Sequence, residues 1–272
     1  MTKTVAITGA TGNIGVKLRR HFETLGWRLR LLDLTNGGDG MVLASDLTRW
    51  DERWVAQLAE ADAVILLAGQ PSPAASWRSI VDLNIDLTLN VYEAAARGKA
   101  KRVIFASSNW TMAGHRFAGG ALPTSRDPYP VNAYGASKLF GERLGRSYSE
   151  RWGLSSICFR IGWCQRGENR PGPHMDWADW GQAMWLSDRD LCQGFEKAVV
   201  APETVRFAVL NLMSANQGSR WDLEATRATI GYVPQDGHTP DVTPEKRGGA
   251  ERTREVRQRI EEAEAWLNTT RL

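Results

Sequence analysis

Tyr134 and Lys138 stand four residues apart in Tyr134-Gly135-Ala136-Ser137-Lys138. On a helix that spacing places both side chains on one face, one turn apart. An ammonium beside a phenol stabilises the phenolate and lowers a pKa that starts near ~10. A second cation close by would push the same way, and Tyr134 could then exchange a proton with a substrate hydroxyl near neutral pH. Ser107-Ser108-Asn109 follows Phe105-Ala106, about 26 residues before the tyrosine. A hydroxyl at the C-terminal end of a strand can bind the same substrate oxygen and fix its orientation. Standing alone, the Tyr/Lys pair reads first as a solvated helix face and the serine pair as a turn.

A nucleotide site gives these residues something to act beside. Thr8-Gly9-Ala10-Thr11-Gly12-Asn13-Ile14-Gly15 follows the apolar run Val5-Ala6-Ile7. That order predicts a buried strand, a glycine-rich turn and the start of a helix. Gly9, Gly12 and Gly15 lack a Cβ, so the backbone can approach an anion. The helix start offers unpaired N–H groups and a positive dipole end to a pyrophosphate. Asp33 ends the run Arg28-Leu29-Arg30-Leu31-Leu32, about 20 residues past the turn. There a carboxylate accepts hydrogen bonds from a ribose diol and repels a 2′-phosphate, which favours NAD over NADP.

The bulk properties narrow the class. The chain has 272 residues, 42% hydrophobic and 24% charged, with a net charge of +3. That is an ordinary balance for a soluble globular protein and makes no case for nucleic-acid binding. No segment has the ~20 apolar residues of a membrane span. Met1-Thr2-Lys3-Thr4 leads directly into the first expected strand, so no secretory signal is expected. Cys158, Cys164 and Cys192 lack metal-ligand spacing and read as reduced thiols of a cytoplasmic protein. His21, His115, His174 and His238 are scattered, so no metal site is expected. The twelve tryptophans fit either a core or a substrate pocket with aromatic walls.

Apolar runs alternate with helical stretches, the mark of βαβ units. Expected strands are Val5–Thr8, Leu29–Asp33, Met41–Ala44, Ala63–Ala68, Arg102–Ala106, Ser155–Arg160 and Thr204–Leu210. Expected helices are Asn13–Leu25, Arg49–Ala59, Trp77–Arg97, Asn132–Trp152, one capped by Ser187 and running to Val199, Trp221–Ile230, and a terminal helix from Thr243. In the terminal helix Val256, Ile260, Ala263 and Trp266/Leu267 recur at helical spacing. Two irregular stretches, 107–131 and 162–182, follow strands, where binding loops of an open α/β sheet belong. The expected fold is α/β: a Rossmann-type doubly wound parallel sheet with helices on both faces and a small C-terminal substrate lobe. It is expected to form one domain over 1–272, with 1–160 mainly for the nucleotide and 161–272 mainly for covering substrate.

Together these features resemble the short-chain dehydrogenase/reductase superfamily, in particular its extended branch of sugar epimerases, dehydratases and dehydrogenases. The glycine turn matches that branch's motif. Asp46-Leu47 looks like its adenine contact, Leu67-Ala68-Gly69 like the segment lining the cofactor, and Asn84 like its helix asparagine. Tyr134, Lys138 and Ser108 match the catalytic trio, and the resemblance adds Ile161 to the NAD contacts. Within the branch, Phe105–Asn109, Tyr134–Glu142, Arg160-Ile161-Gly162, Met184–Ser187, Ser214-Ala215-Asn216 and Gly231–Asp236 are most similar to the NAD-dependent uronate dehydrogenases. Those enzymes oxidise the anomeric hydroxyl of a hexuronate to an aldarolactone. The resemblance implies that Ser72, Ser108, Asn109 and Tyr134 face the sugar, and that the protein forms a dimer or tetramer through 77–97 and 132–152. One departure stands out: where the uronate enzymes carry a carboxylate-binding arginine, this chain has Asp179-Trp180-Gly181-Gln182. Arg166, Arg170 or His174, in the longer loop before it, are the candidate replacements; the alternative is a neutral sugar or another small alcohol as substrate. An epimerase or dehydratase using the same residues, and a non-catalytic NAD sensor, are the rival readings.

Overall fold

The computed structural model describes residues 2–270 apart from 176, and the side chains of 261 and 267–270 lie outside that description. Strands β1 (Thr4–Thr8), β2 (Arg28–Asp33), β3 (Val42–Ala44), β4 (Ala63–Leu66), β5 (Arg102–Ser108), β6 (Ser155–Ile161) and β7 (Phe207–Leu212) form one sheet. Their order is β3-β2-β1-β4-β5-β6-β7, and every pair is parallel. The chain winds outward from β1 to β3, then returns to β4 and winds the other way. The switch between β1 and β4 opens a crevice at the carboxyl ends of the strands.

Both faces of the sheet are covered, so the central strands read as continuous apolar runs. Ile7, Ile65, Ile104 and Ile157 face Leu18 and Phe22 of α1 (Asn13–Thr24) and, through α7 (Asp188–Val199), Leu191 and Phe195. Their neighbours Ala6, Val64, Phe105 and Cys158 face the opposite layer. That layer is α2 (Glu52–Leu58), α4 (Leu87–Arg97) and α5 (Ala133–Trp152). α4 is preceded by α3 (Trp77–Ile80) and a π-helical turn, Val81–Asp86, so the expected helix 77–97 is continuous but carries one wide turn. α5 starts where expected: the Asn132 side chain caps it by accepting from the Gly135 N–H. Ser187 caps α7 through the Asp190 N–H, also as expected.

The later half departs more from expectation. β5 runs on to Ser108, and a 3-10 helix, Asn109–His115, occupies the start of the first irregular stretch. In the second stretch α6 (Ala178–Ala183) forms. β7 starts at Phe207 rather than Thr204, because a turn joining Val205 N–H to the Pro202 carbonyl delays it. α8 (Glu224–Ile230) starts three residues later than expected, and α9 (Pro244–Thr270) is helical as expected. The apolar spacing of α9 does not meet the core of this chain: Val256, Ile260 and Trp266 are exposed, and Leu267 lies outside the described side chains. A third apolar cluster, Met112, Leu122, Met184, Met213 and Trp221, packs with Trp163, Trp177 and Trp180 above the β5–β7 end of the sheet. The tryptophans thus divide, some filling this core and others facing the crevice. No helix among the described residues is long and apolar enough to cross a membrane. All three cysteines are free, and burial raises the thiols of Cys158 and Cys192 to about 12 and that of Cys164 to about 11.

Candidate active site

The crevice is a cleft of about 1160 Å³ lined by the glycine-rich turn, the ends of β2, β4, β5 and β6, and the face of α5 carrying Tyr134 and Lys138. Its narrowest requirement is at the turn. A Cβ on Gly15 would sit 2.2 Å from the Gly9 carbonyl oxygen. Gly9 has φ +73°, and a Cβ there would meet the Ala68 backbone at 2.8 Å. These two glycines let β1, α1 and β4 close together, while Gly12 forms the rim facing the cleft. The first turn of α1 carries no acidic residue, so its N–H groups and dipole end stay available to an anion.

At one end of the cleft Asp33 and Asp46 both line the wall, beside Leu34, Ser45 and Leu47. Asp33 Oδ2 accepts from Thr11 N–H at 2.8 Å and Thr11 Oγ1 at 2.7 Å, and Oδ1 accepts from Leu34 N–H at 2.7 Å. The carboxylate is therefore aimed before any ligand arrives, with lone pairs left for a diol. Two acids at this end disfavour a further phosphate there. The cleft's volume, its glycine cradle and this acid pair fit an NAD molecule laid across the switch point.

At the other end Ser108, Asn109, Tyr134 and Lys138 converge, with Ile161 and Gly162 beneath. Lys138 Nζ lies 5.6 Å from the Tyr134 ring centroid and 5.1 Å from that of Phe105. Burial lowers the Lys138 ammonium to about 8. Burial also pushes the Tyr134 phenol above its ordinary value, and a hydrogen bond with Ser108 pulls it partly back. The Tyr134/Lys138 spacing predicts an acidified phenol, whereas in the protein alone desolvation dominates both groups. The low local dielectric that raises the phenol also magnifies any positive charge brought beside it.

The support beneath these groups is a buried ion pair that no local sequence pattern marks as a pair. Glu142, one turn beyond Lys138 on the same face of α5, receives both Arg160 Nε and Nη2 at 2.9 Å and Ser107 Oγ at 2.6 Å. The ion pair is about 3% exposed on each side. It ties α5 to β5 and β6 directly below Ser108. Close approach is permitted by Gly141, where a Cβ would strike the Phe105 ring at 2.2 Å, and by Gly135 against the Trp110 carbonyl at 2.6 Å. Asn109 Nδ2 donates to the Ile161 carbonyl at 3.0 Å, joining the ends of β5 and β6. The i+4 continuation from Tyr134 to Lys138 to Glu142 was the available signal; Arg160 offered none locally.

Not every expected residue reaches the cleft. Gly9, Gly12, Asn13, Ile14, Gly15, Leu67, Ala68, Gly69 and Arg166 line it. Asn84 lies behind it: its amide is spent on Gln70 N–H at 2.7 Å, the Gln70 carbonyl at 3.1 Å and Ser137 Oγ at 3.0 Å. Ser72 falls between two lining prolines, Pro71 and Pro73, and its Oγ accepts from Ala74 N–H. Arg170 turns away to Glu168 at 2.8 Å, and His174 to Gln165 Oε1 at 2.5 Å. Trp110, Trp163 and Trp177 form an aromatic wall beside Ser108. Trp177 and Ala178 both adopt left-handed φ, +77° and +53°, which swings Trp177 into place at the start of α6. Among the described residues no cluster of His, Cys, Asp or Glu could hold a metal.

The sequence profile described as "NAD dependent epimerase/dehydratase family" matches residues 5–163. An L-arabinose 1-dehydrogenase (NAD(P)(+)) of Haloferax volcanii is 35% identical over 254 residues, 85% of this chain and 96% of that protein. A uronate dehydrogenase of Pseudomonas putida is 32% identical over 235 residues, 85% and 83% of the two chains. A crystal structure of a mutant uronate dehydrogenase from Agrobacterium tumefaciens, complexed with NAD, superposes with a TM-score of 0.73 at 28% identity, covering 87% of this chain and 86% of that one.

Proposed function

We propose, given that this chain belongs to the NAD-dependent epimerase/dehydratase family, that it is an NAD-dependent dehydrogenase oxidising the anomeric hydroxyl of an aldose or hexuronate to its lactone. The observation that carries this is the convergence of Ser108, Tyr134 and Lys138 at one end of a cleft whose other end is the glycine turn and Asp33. Gly9–Gly15 would hold the pyrophosphate, and Asp33 and Asp46 the adenosine end. Leu67–Gly69 and Ile161 would border the nicotinamide side, with Asn84 steadying the wall through Gln70. NAD supplies the hydride acceptor and a positive ring when bound.

The chain's own part is proton handling and orientation. Ser108 and Tyr134 hold one substrate oxygen, so the carbon bearing it is presented in a single pose. Tyr134 takes the hydroxyl proton, and Lys138 stabilises the phenolate that precedes this step. The aromatic wall of Trp110, Trp163 and Trp177 covers the apolar face of a sugar ring and excludes water. Residues 1–160 chiefly serve the nucleotide and 161–272 the substrate. The expected homo-oligomer finds support in Trp77, Leu89 and Trp152, exposed on the helices 77–97 and 133–152, and the expected cytoplasmic setting in the three free cysteines. The test is incubation with NAD and a panel of neutral aldoses and uronic acids, following NADH absorbance. Accumulation supports a net dehydrogenase. Sugar interconversion without NADH would establish the epimerase, and tight NAD binding with no reaction on any sugar the sensor.

A further inference from the structure

We infer that Arg166 is a cofactor residue that pairs with the dinucleotide pyrophosphate, rather than a replacement for the missing carboxylate-binding arginine. This rests on the NAD reading above. Among the described residues four charged side chains line the cleft: Asp33 and Asp46 at the adenosine end, Lys138 at the reaction end, and Arg166. The place of Arg166 between them follows from its neighbours. The Cys164 carbonyl accepts from Asn13 Nδ2 at 3.0 Å, and the Gln165 carbonyl from Lys17 Nζ at 2.6 Å. Asn13 and Lys17 belong to the first turns of α1. The chain leaving β6 is thus tied down over the helix start that faces the glycine turn, and Arg166 is the next residue along.

Arg166 is exposed, and among the described residues it has no carboxylate partner: Glu168 pairs with Arg170, and Asp188 with Lys17. A pyrophosphate brings about two negative charges to a turn that offers only N–H groups. A planar guanidinium able to donate twice matches that need.

Three proteins separate the possibilities: wild type, Arg166→Ala and Arg166→Lys. Affinity for ADP-ribose and for adenosine would be measured by calorimetry at low and high salt, alongside the sugar KM at saturating NAD. Arg166→Ala should weaken ADP-ribose about ten- to hundred-fold, leave adenosine unchanged, and flatten the salt dependence. Arg166→Lys should recover part of the loss, and the sugar KM should not move. Unchanged ADP-ribose affinity in Arg166→Ala overturns the inference. So does a raised sugar KM without loss of ADP-ribose binding, which would return the residue to the substrate. Wild type that binds no ADP-ribose would instead bring down the NAD reading itself.

Discussion

Glu142 and Arg160 grip each other through paired 2.9 Å contacts beneath the cleft, and Ser107 Oγ completes the group at 2.6 Å. Two charges out of water are tolerable only while both are present. Their effect is geometric: they fix how far Tyr134 on α5 stands from Ser108 on β5. Glu142→Gln or Arg160→Met should each destabilise the fold by roughly 3–5 kcal/mol, measured by urea unfolding. The double change to apolar residues of similar volume should restore much of the stability but not the turnover. A double variant as active as wild type would show that the pair positions nothing.

Tyr134→Phe removes the oxygen that accepts the substrate proton and leaves the ring in place. Turnover should fall by about 10²–10⁴-fold, while NAD affinity, measured by quenching of tryptophan fluorescence, should stay within a factor of a few. Retained turnover would remove Tyr134 from the proton path.

Burial holds Lys138 at about 8, below its ordinary 10.5. Between these values the unfolded chain binds the extra proton, so stability rises with pH through that window. Below about 8 the full cost of the buried ammonium is present. Lys138→Met lacks it and should exceed wild type in stability at pH 7 by on the order of 1–3 kcal/mol. The advantage should shrink toward zero near pH 10.5. Melting temperatures of both proteins without cofactor, taken across pH 7–10.5, check this; a constant gap contradicts it. The same variant should lose turnover, because the ammonium that stabilises the phenolate is gone.

Asp33→Ala opens the adenosine end. NAD affinity should drop about ten-fold or more, and NADP should become usable as the repulsion of a 2′-phosphate is relieved. Asp46 remains in the wall, so the switch should be incomplete. Fluorescence titration with each nucleotide decides it, and unchanged NAD affinity would argue against a ribose contact.

Local patterns exposed much of this molecule. The glycine turn, Asp33 at the end of β2 and the Tyr134/Lys138 spacing each depend on a few neighbouring residues, and the structure gathers all of them in one cleft. Less was visible where long-range placement decides. Arg160 meets Glu142 only because β6 lies beside β5 under α5. Arg170 and His174 were equal in sequence to Arg166, yet loop hydrogen bonds to Glu168 and Gln165 turn them aside. Trp177 faces the cleft through two left-handed residues that no periodicity announces. The helical spacing of α9 marked a helix but could not say whether its apolar stripe would meet this chain's core.

The wide turn at Val81–Asp86 amounts to one surplus residue in an otherwise regular rod. Each residue rotates a helix by about 100°, so deleting one there would mend the rod while swinging Asn84 off Gln70 and Ser137. Two segments far apart in the chain would then lose their common rivet. A shorter, locally more regular protein would be the poorer host for a nucleotide, since here an irregularity keeps the floor and the far wall of the crevice in step.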